Sequence, residues 1–225
     1  EHTGDYAALH LLPWYLCYRA MVRAKVAALR VAQLQGRDRE IALAQCEAYL
    51  SQALRYTQPR QTALIMTHGI SGSGKTTHSQ YVVDHCGLIR LRADVERKRL
   101  FGLPALASSR HIPGGIYSET ANEQTQHHLE QQARDILGAG FPVLVDATFI
   151  RQEPRQRMQA VARELDAPWY VLAFEAAPAT LRARATQRSA GACDASEADA
   201  GIVDQQIAHL EPLQPEELTR TLCLS

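Results

Sequence analysis

Residues 69–76 read Gly-Ile-Ser-Gly-Ser-Gly-Lys-Thr, and the apolar run Ala63-Leu64-Ile65-Met66 stands just upstream. The spacing is G-x-x-x-x-G-K-[ST], the pattern of a strand that turns through a glycine-rich loop into a helix. Glycines let the backbone fold tightly enough for several N–H groups to face one anion, and the positive end of the following helix adds to the attraction. Lys75 is the cation expected to reach the β- and γ-phosphates of a nucleotide, and Thr76 the hydroxyl expected to ligate magnesium. The whole stretch Gly69, Ile70, Ser71, Gly72, Ser73, Gly74, Lys75, Thr76 and Thr77 is therefore the expected nucleotide-binding segment. A dinucleotide fingerprint fits worse, because Gly72-Ser73-Gly74-Lys75-Thr76-Thr77 lacks the third glycine of G-x-G-x-x-G.

With 225 residues the chain has room for one ordinary domain and an appendage. Its 24 basic and 24 acidic residues give zero formal net charge, which argues against broad electrostatic binding to nucleic acid and leaves room only for a local basic cleft. Nearly all the basic residues are arginine; Lys25, Lys75 and Lys98 are the lysines. The five cysteines are scattered with no C-x-x-C pair, so neither a zinc site nor a disulfide framework is indicated. No apolar run approaches the length of a membrane span and no signal peptide opens the chain, so a cytoplasmic location is expected. The first residue is Glu1 rather than methionine, which suggests a fragment of a longer product.

Working outward from the loop, the upstream part looks helical. A helix from Tyr6 to about Gln35 is expected, with Val22, Val26 and Leu29 forming an apolar stripe and Arg19, Arg23 and Arg30 on another face. Gly36-Arg37-Asp38 should break it. A second helix from Arg39 to about Tyr56 should bury Leu43, Cys46, Leu50 and Leu54 and end at Pro59, the two forming a hairpin over residues 1–58. From residue 61 onward strands and helices alternate. Strands are expected at 62–67, 88–91, 143–145, 169–174 and 221–224. Helices are expected at 75–86, near 94–101, and from a Thr120/Glu123 capping box to Leu137. This alternation predicts an α/β fold of three layers, a mostly parallel five-stranded sheet between helices, with ligands at the carboxyl ends of the strands.

Several residues beyond the loop could carry chemistry. Asp146 ends the apolar strand Val143-Leu144-Val145, a position from which a carboxylate can face hydrated magnesium. Ala147 follows it where hydrolytic motors usually carry a glutamate, which favours transfer to a substrate over an ATP-driven machine. Asp94 ends the second strand, where it could accept a proton from an acceptor hydroxyl or cap the helix that starts there. Arg97 lies one turn further on and could bind an anionic part of the acceptor, and Arg151 and Arg155 could contact phosphates. Arg182, Arg184 and Arg188 punctuate a helix after Pro178, with Ser196 and Asp199 at box spacing before the next, so 182–198 reads as a lid able to close over the triphosphate. The segment Ser108–Ser118 reads as a flexible loop near the acceptor. His127-His128 cannot share one helical face, so histidine metal binding is not expected.

Taken together, the loop at 69–76, Arg-Ala-Asp-Val-Glu-Arg-Lys at 92–98, Val-Asp-Ala-Thr-Phe at 145–149 and the arginine-bearing lid resemble the small P-loop kinases. That group includes polynucleotide kinase, zeta toxin and gluconate kinase, and one branch is often labelled an AAA-domain family. The resemblance covers about 61–225 and implies the P-loop NTPase fold, with ATP and Mg2+ at Lys75 and Thr76, Asp94 at the acceptor hydroxyl, and Arg184 or Arg188 as catalytic lid residues. Tyr18-Arg19-Ala20-Met21-Val22-Arg23-Ala24-Lys25-Val26 and Asp94 to Gly102 are further similar to bacterial fusion proteins. In those, an aminoglycoside-phosphotransferase-like domain precedes the kinase domain, so residues 1–58 would be its last helices. The implied activity is phosphoryl transfer to a hydroxyl of a small-molecule or nucleotide-type acceptor. An ATP-dependent switch or ATPase, and a polynucleotide 5′-hydroxyl kinase, stand as alternatives.

Overall fold

The computed structural model describes residues 3–109, 115–191, 195–196 and 199–224, without the side chains of 188–191. The chain divides into two compact units, Ala7–Arg60, and Glu1–Tyr6 with Gln61–Ser225. Among the described residues no helix is long and apolar enough to cross a membrane.

The larger unit is built on five strands, β1 (Leu64–His68), β2 (Ile89–Arg92), β3 (Val143–Asp146), β4 (Trp169–Phe174) and β5 (Thr221–Leu224). They lie in the order β2-β3-β1-β4-β5, every neighbouring pair parallel. Parallel pairing demands covered faces, and all four residues of β3 are buried, as are all but one of β4. The chain runs from β1 to β2 and β3 on one side and to β4 and β5 on the other, so the direction of winding reverses beside β1. A crevice opens there at the carboxyl ends, where such sheets bind ligands.

The smaller unit is a pair of helices, α1 (Leu12–Val31) and α2 (Gly36–Thr57). Their buried residues are Ala20, Ala24 and Ala27 on α1 and Ala42 and Ala53 on α2. The expected stripe of large side chains is instead exposed: Val22, Val26 and Leu29 are 43%, 53% and 57% accessible, and Leu43, Leu50 and Leu54 are 44%, 45% and 62%. Small residues on the facing sides let the two backbones approach closely, and the larger side chains are turned outward. Gly36 begins α2 instead of ending α1, and Cys46 Sγ reaches Ala24 O at 3.5 Å across the pair.

In the larger unit the helices are α3 (Lys75–Cys86), α4 (Ala93–Leu100), α5 (Glu119–Gly138), α6 (Gln152–Glu164), α7 (Pro178–Gly191), α8 (Ala200–Ala208) and α9 (Pro215–Leu218). Ser118, not Thr120, caps α5, accepting from Ala121 N at 3.2 Å. Asp199 is itself the cap of α8, accepting from Ile202 N at 2.9 Å.

One expected phosphate ligand has a different occupation. Arg155 on α6 is fully buried; its Nε donates to Glu217 Oε1 at 2.9 Å, Nη1 to Phe149 O at 3.0 Å and Nη2 to Pro212 O at 3.0 Å. Those bonds tie the stretch before β5 to the loop after β3, and they leave Arg155 nothing to offer a substrate. Burial pushes the Glu217 carboxyl up, but Arg155, the Gln214 N–H and the Gln159 amide together outweigh it and hold it below the usual glutamate value. A lowered carboxyl contributes stability that is complete above its unfolded value and is lost as pH falls through the folded one. Arg155→Met should cost about 3–5 kcal/mol at neutral pH by leaving Glu217 buried and unpaired. In urea unfolding the gap between wild type and variant should narrow as the pH is lowered below the glutamate range.

Candidate active site

The loop between β1 and α3 begins at a crowded point. Gly69 has φ 146°, and a Cβ there would sit 2.5 Å from Phe174 O, so neither the backbone nor the space admits another residue. Gly74, φ 92°, is the N-cap of α3, and no side chain caps that helix. The first-turn N–H groups of α3 are thus presented towards the loop, an arrangement that suits an anion. Lys75, itself buried, donates from Nζ to Gly69 O and Ile70 O, both at 2.8 Å, so its charge lies inside the loop. Ser73 Oγ is buried with no hydrogen-bond partner among the described residues. A cation, an uncapped helix start and an orphaned hydroxyl lie together in one short loop, a set of groups that suits a phosphate chain.

The register of β1 against β3 sets the second half of the site. Met66 is paired with Val145, which brings the residues after both strands side by side. Thr67 Oγ1 donates to Ala147 O at 2.6 Å and accepts from Ala147 N at 3.0 Å. Gly69 N donates to Thr148 O at 3.0 Å, and His68 donates its Nδ1–H to Phe149 O at 2.9 Å. Burial pushes the His68 imidazole below its ordinary value, so the neutral ring serves as a strut. Phe149 is held at φ 44°, a backbone state that a bulky residue keeps only under such restraint. Thr76 Oγ1 then donates to Asp146 Oδ2 at 2.8 Å, joining the two expected magnesium ligands directly. Burial pushes the Asp146 carboxyl up, against the Thr76 hydroxyl and the charges of Lys75, Arg92 and Arg90. A hard divalent cation would suit this pair of oxygens, the carboxylate buried and the hydroxyl partly so, with phosphate oxygens and water completing its shell.

Beside the loop lies a cavity of about 820 Å³ whose wall includes Ser71, Asp94, Arg97, Tyr117, Arg151 and Gln206. Asp94 stands in the first turn of α4, yet no side chain caps that helix and the carboxylate has no hydrogen bond among the described residues. It is therefore open to the cavity. Its helix is fixed from below by Glu96, which is fully buried and accepts from Tyr6 Oη at 2.9 Å, from His128 Nε2 at 3.2 Å and from Arg99. Burial pushes the Glu96 carboxyl up, and those three donors more than offset it and hold it below its usual range. Arg97 donates to Thr125 Oγ1 at 3.3 Å and lies 4.7 Å from the centre of the Tyr117 ring. Arg157 pairs through Nε with Glu130 at 2.7 Å and through Nη1 with Glu153 and Glu123 at 3.1 and 3.2 Å.

The structure thus brings together the loop residues, Asp146, Asp94, Arg97 and Arg151. Arg155 is separated from them, and the side chain of Arg188 lies outside the described residues, as do 110–114, 192–194 and 197–198 of the two expected loops. Arg184 Nη1 donates to Gly72 O at 3.1 Å and Arg182 Nε to Asp204 Oδ1 at 2.7 Å, so α7 joins both the loop and α8. Sequence reasoning missed helix α6, the Tyr117 ring and Gln206. Gln206 Oε1 accepts from Ser71 N at 2.8 Å across 135 residues, a contact that no local spacing announces.

Residues 64–213 match a protein-family profile described as an AAA domain. Uncharacterized proteins of Mycobacterium tuberculosis and Mycobacterium bovis are 30% identical over 166 residues, covering 73% of this chain and 32% of theirs. The chain therefore spans about a third of the length of the curated relatives it matches. A solved protein from Chloroflexus aurantiacus is 23% identical, with 73% of this chain and 88% of that one aligned at a TM-score of 0.58. Kti12 of Chaetomium thermophilum, solved with ADP-AlF3, is 15% identical, with 72% and 88% aligned at 0.55. A sugar kinase from Janibacter sp. is 21% identical, with 72% and 84% aligned at 0.53. At such identities the likeness is one of fold, the P-loop NTPase fold with its all-parallel five-stranded sheet. The family profile takes in well over half of the residues, and the chain belongs to the AAA domain family AAA_33.

Proposed function

We propose that this protein is an ATP- and magnesium-dependent kinase that moves the γ-phosphoryl group to a hydroxyl of a small polar acceptor. The observation that carries the reading is the Asp94 carboxylate, unengaged and facing the same cavity that the phosphate-type loop borders. A nucleotide site alone has no need of a second, open carboxylate beyond the loop.

In this reading Lys75 leaves the loop carbonyls for the β- and γ-phosphates, and the N–H groups at the start of α3 hold the same chain of oxygens. Thr76 and Asp146 would hold magnesium, which when bound neutralises charge on the β- and γ-oxygens. Asp94 orients the acceptor hydroxyl and takes its proton as the acceptor oxygen bonds to the γ-phosphorus. The bond from that phosphorus to the bridging oxygen breaks, and ADP leaves with the electron pair. Arg97 and Arg151 supply positive charge to the wall of the cavity, and Arg184 brings a guanidinium to the loop from α7. Arg188 belongs with them on the strength of the resemblance.

The acceptor is read as a small-molecule or nucleotide-type compound that offers a hydroxyl. Arg157 already has three carboxylate partners, and Asn122, Gln126 and Gln205 line the wall with amides, a surface better matched to hydroxyls than to a polyanionic strand. Likeness to the fusion proteins would make residues 1–58 the end of an upstream phosphotransferase-like domain, a reading that rests on sequence resemblance alone.

The test is ADP formation with magnesium and ATP against a panel of polyols, sugars, sugar acids, nucleotide sugars, aminoglycosides and 5′-hydroxyl oligonucleotides. Acceptor-stimulated ADP release is expected from wild type, and Lys75→Ala should reduce it at least about 100-fold. Wild-type turnover in that variant would remove the loop from the reaction. Asp94→Asn should keep its affinity for ATP while losing about 100-fold or more in transfer. Full transfer in Asp94→Asn would take the carboxylate out of the mechanism, and ADP release indifferent to every acceptor would favour an ATPase or switch.

A further inference from the structure

Three consecutive loop residues are held by the α7–α8 pair. Ile70 is buried with Leu181, Ala185 and Val203, and Ile207 packs against that cluster. Gly72 O takes the bond from Arg184, and Ser71 N donates to Gln206 Oε1 at 2.8 Å.

The last of these contacts has a chemical consequence. A backbone N–H only donates, so the atom of the Gln206 amide that meets it must be the oxygen, which fixes which way round the amide lies. Its NH2 end therefore faces away from Ser71. That end carries two donors and has no hydrogen-bond partner among the described residues, although Gln206 is only half-buried and lines the cavity together with Ser71. A fixed pair of unused donors beside an anion cradle is matched by an anionic oxygen.

The position along the loop selects which oxygen. In the proposed nucleotide reading Lys75 and the first turn of α3 take the inner part of the phosphate chain, whereas Ser71 stands on the side of the loop that borders the cavity with Asp94. In that arrangement the phosphate directed to the cavity side is the terminal one of a triphosphate, where transfer to an acceptor beside Asp94 would take place. We infer that Gln206 donates from Nε2 to the terminal phosphoryl oxygens, with Oε1 anchored on Ser71 N–H, and so distinguishes a nucleoside triphosphate from a diphosphate. The inference rests on the nucleotide reading of the loop and adds to it a catalytic residue that touches the transferred group. Because the loop backbone itself holds the amide, the donor is oriented before the nucleotide arrives.

The test is calorimetric titration of the full chain with a non-hydrolysable ATP analogue and, separately, with ADP, both with magnesium. Gln206→Glu keeps an oxygen for Ser71 N–H and replaces the donor with a carboxylate oxygen. Gln206→Met keeps the length and removes both polar ends. In each variant affinity for the analogue should fall about 10- to 100-fold, the range of a lost charge-assisted hydrogen bond, while affinity for ADP stays within about twofold. Val203→Ala, which loosens the apolar cluster under Gln206 without touching its amide, should weaken both nucleotides by the same factor. Equal loss of the analogue and ADP in both Gln206 variants, or no loss of either, overturns the inference and leaves Gln206 a docking residue. A wild-type chain that binds neither nucleotide overturns the loop reading itself, and the inference falls with it.

Discussion

The parallel register of β1 on β3 is the constraint from which the site follows. Met66 opposite Val145 leaves Thr67 beside Ala147, and one threonine hydroxyl then bonds both polar groups of that residue's backbone. With those ends pinned, the loop leaving β1 and the carboxylate ending β3 must meet, and Thr76 reaches Asp146 without adjustment. A slip of one residue would turn every side chain of β3 to the opposite face and carry Asp146 away from the loop. The apolar content of the strands and the chemistry beyond them are thus specified by one alignment.

Much of this was legible in the chain because the chemistry is condensed into short contiguous segments. Gly69 to Thr76 announces a phosphate cradle by itself, and the apolar run Val143 to Val145 places Asp146 at a strand end once a parallel sheet is inferred, while Asp94 lies two residues past β2 in the first turn of α4. Bounds of α3, β4 and β5 agree with the reading from the sequence for the same reason. Periodicity was a poorer guide to the paired helices of the smaller unit. It assigns the large side chains inward, whereas the pairing is made by alanines, whose small size is what permits the close approach.

Long-range polar partnerships were the other illegible class. Arg155 just past a strand looks like a phosphate ligand until Glu217, 62 residues later, is folded against it. The resulting pair is fully buried, and its worth is in fastening the chain end to the sheet. Gln206 is the converse. An ordinary glutamine on a short helix becomes part of the loop's surroundings only because α8 packs where it does.

Ile70 is the apolar member of an otherwise glycine-, serine- and lysine-rich signature, and it is buried with residues of α7 and α8. A flexible loop loses conformational freedom when it captures a ligand, and an apolar anchor removes part of that freedom beforehand. How much is removed depends on Leu181, Ala185 and Val203, none of which belongs to any motif. Under the proposed nucleotide reading, the avidity of the loop is therefore set partly by the packing of two helices that lie outside its eight-residue signature.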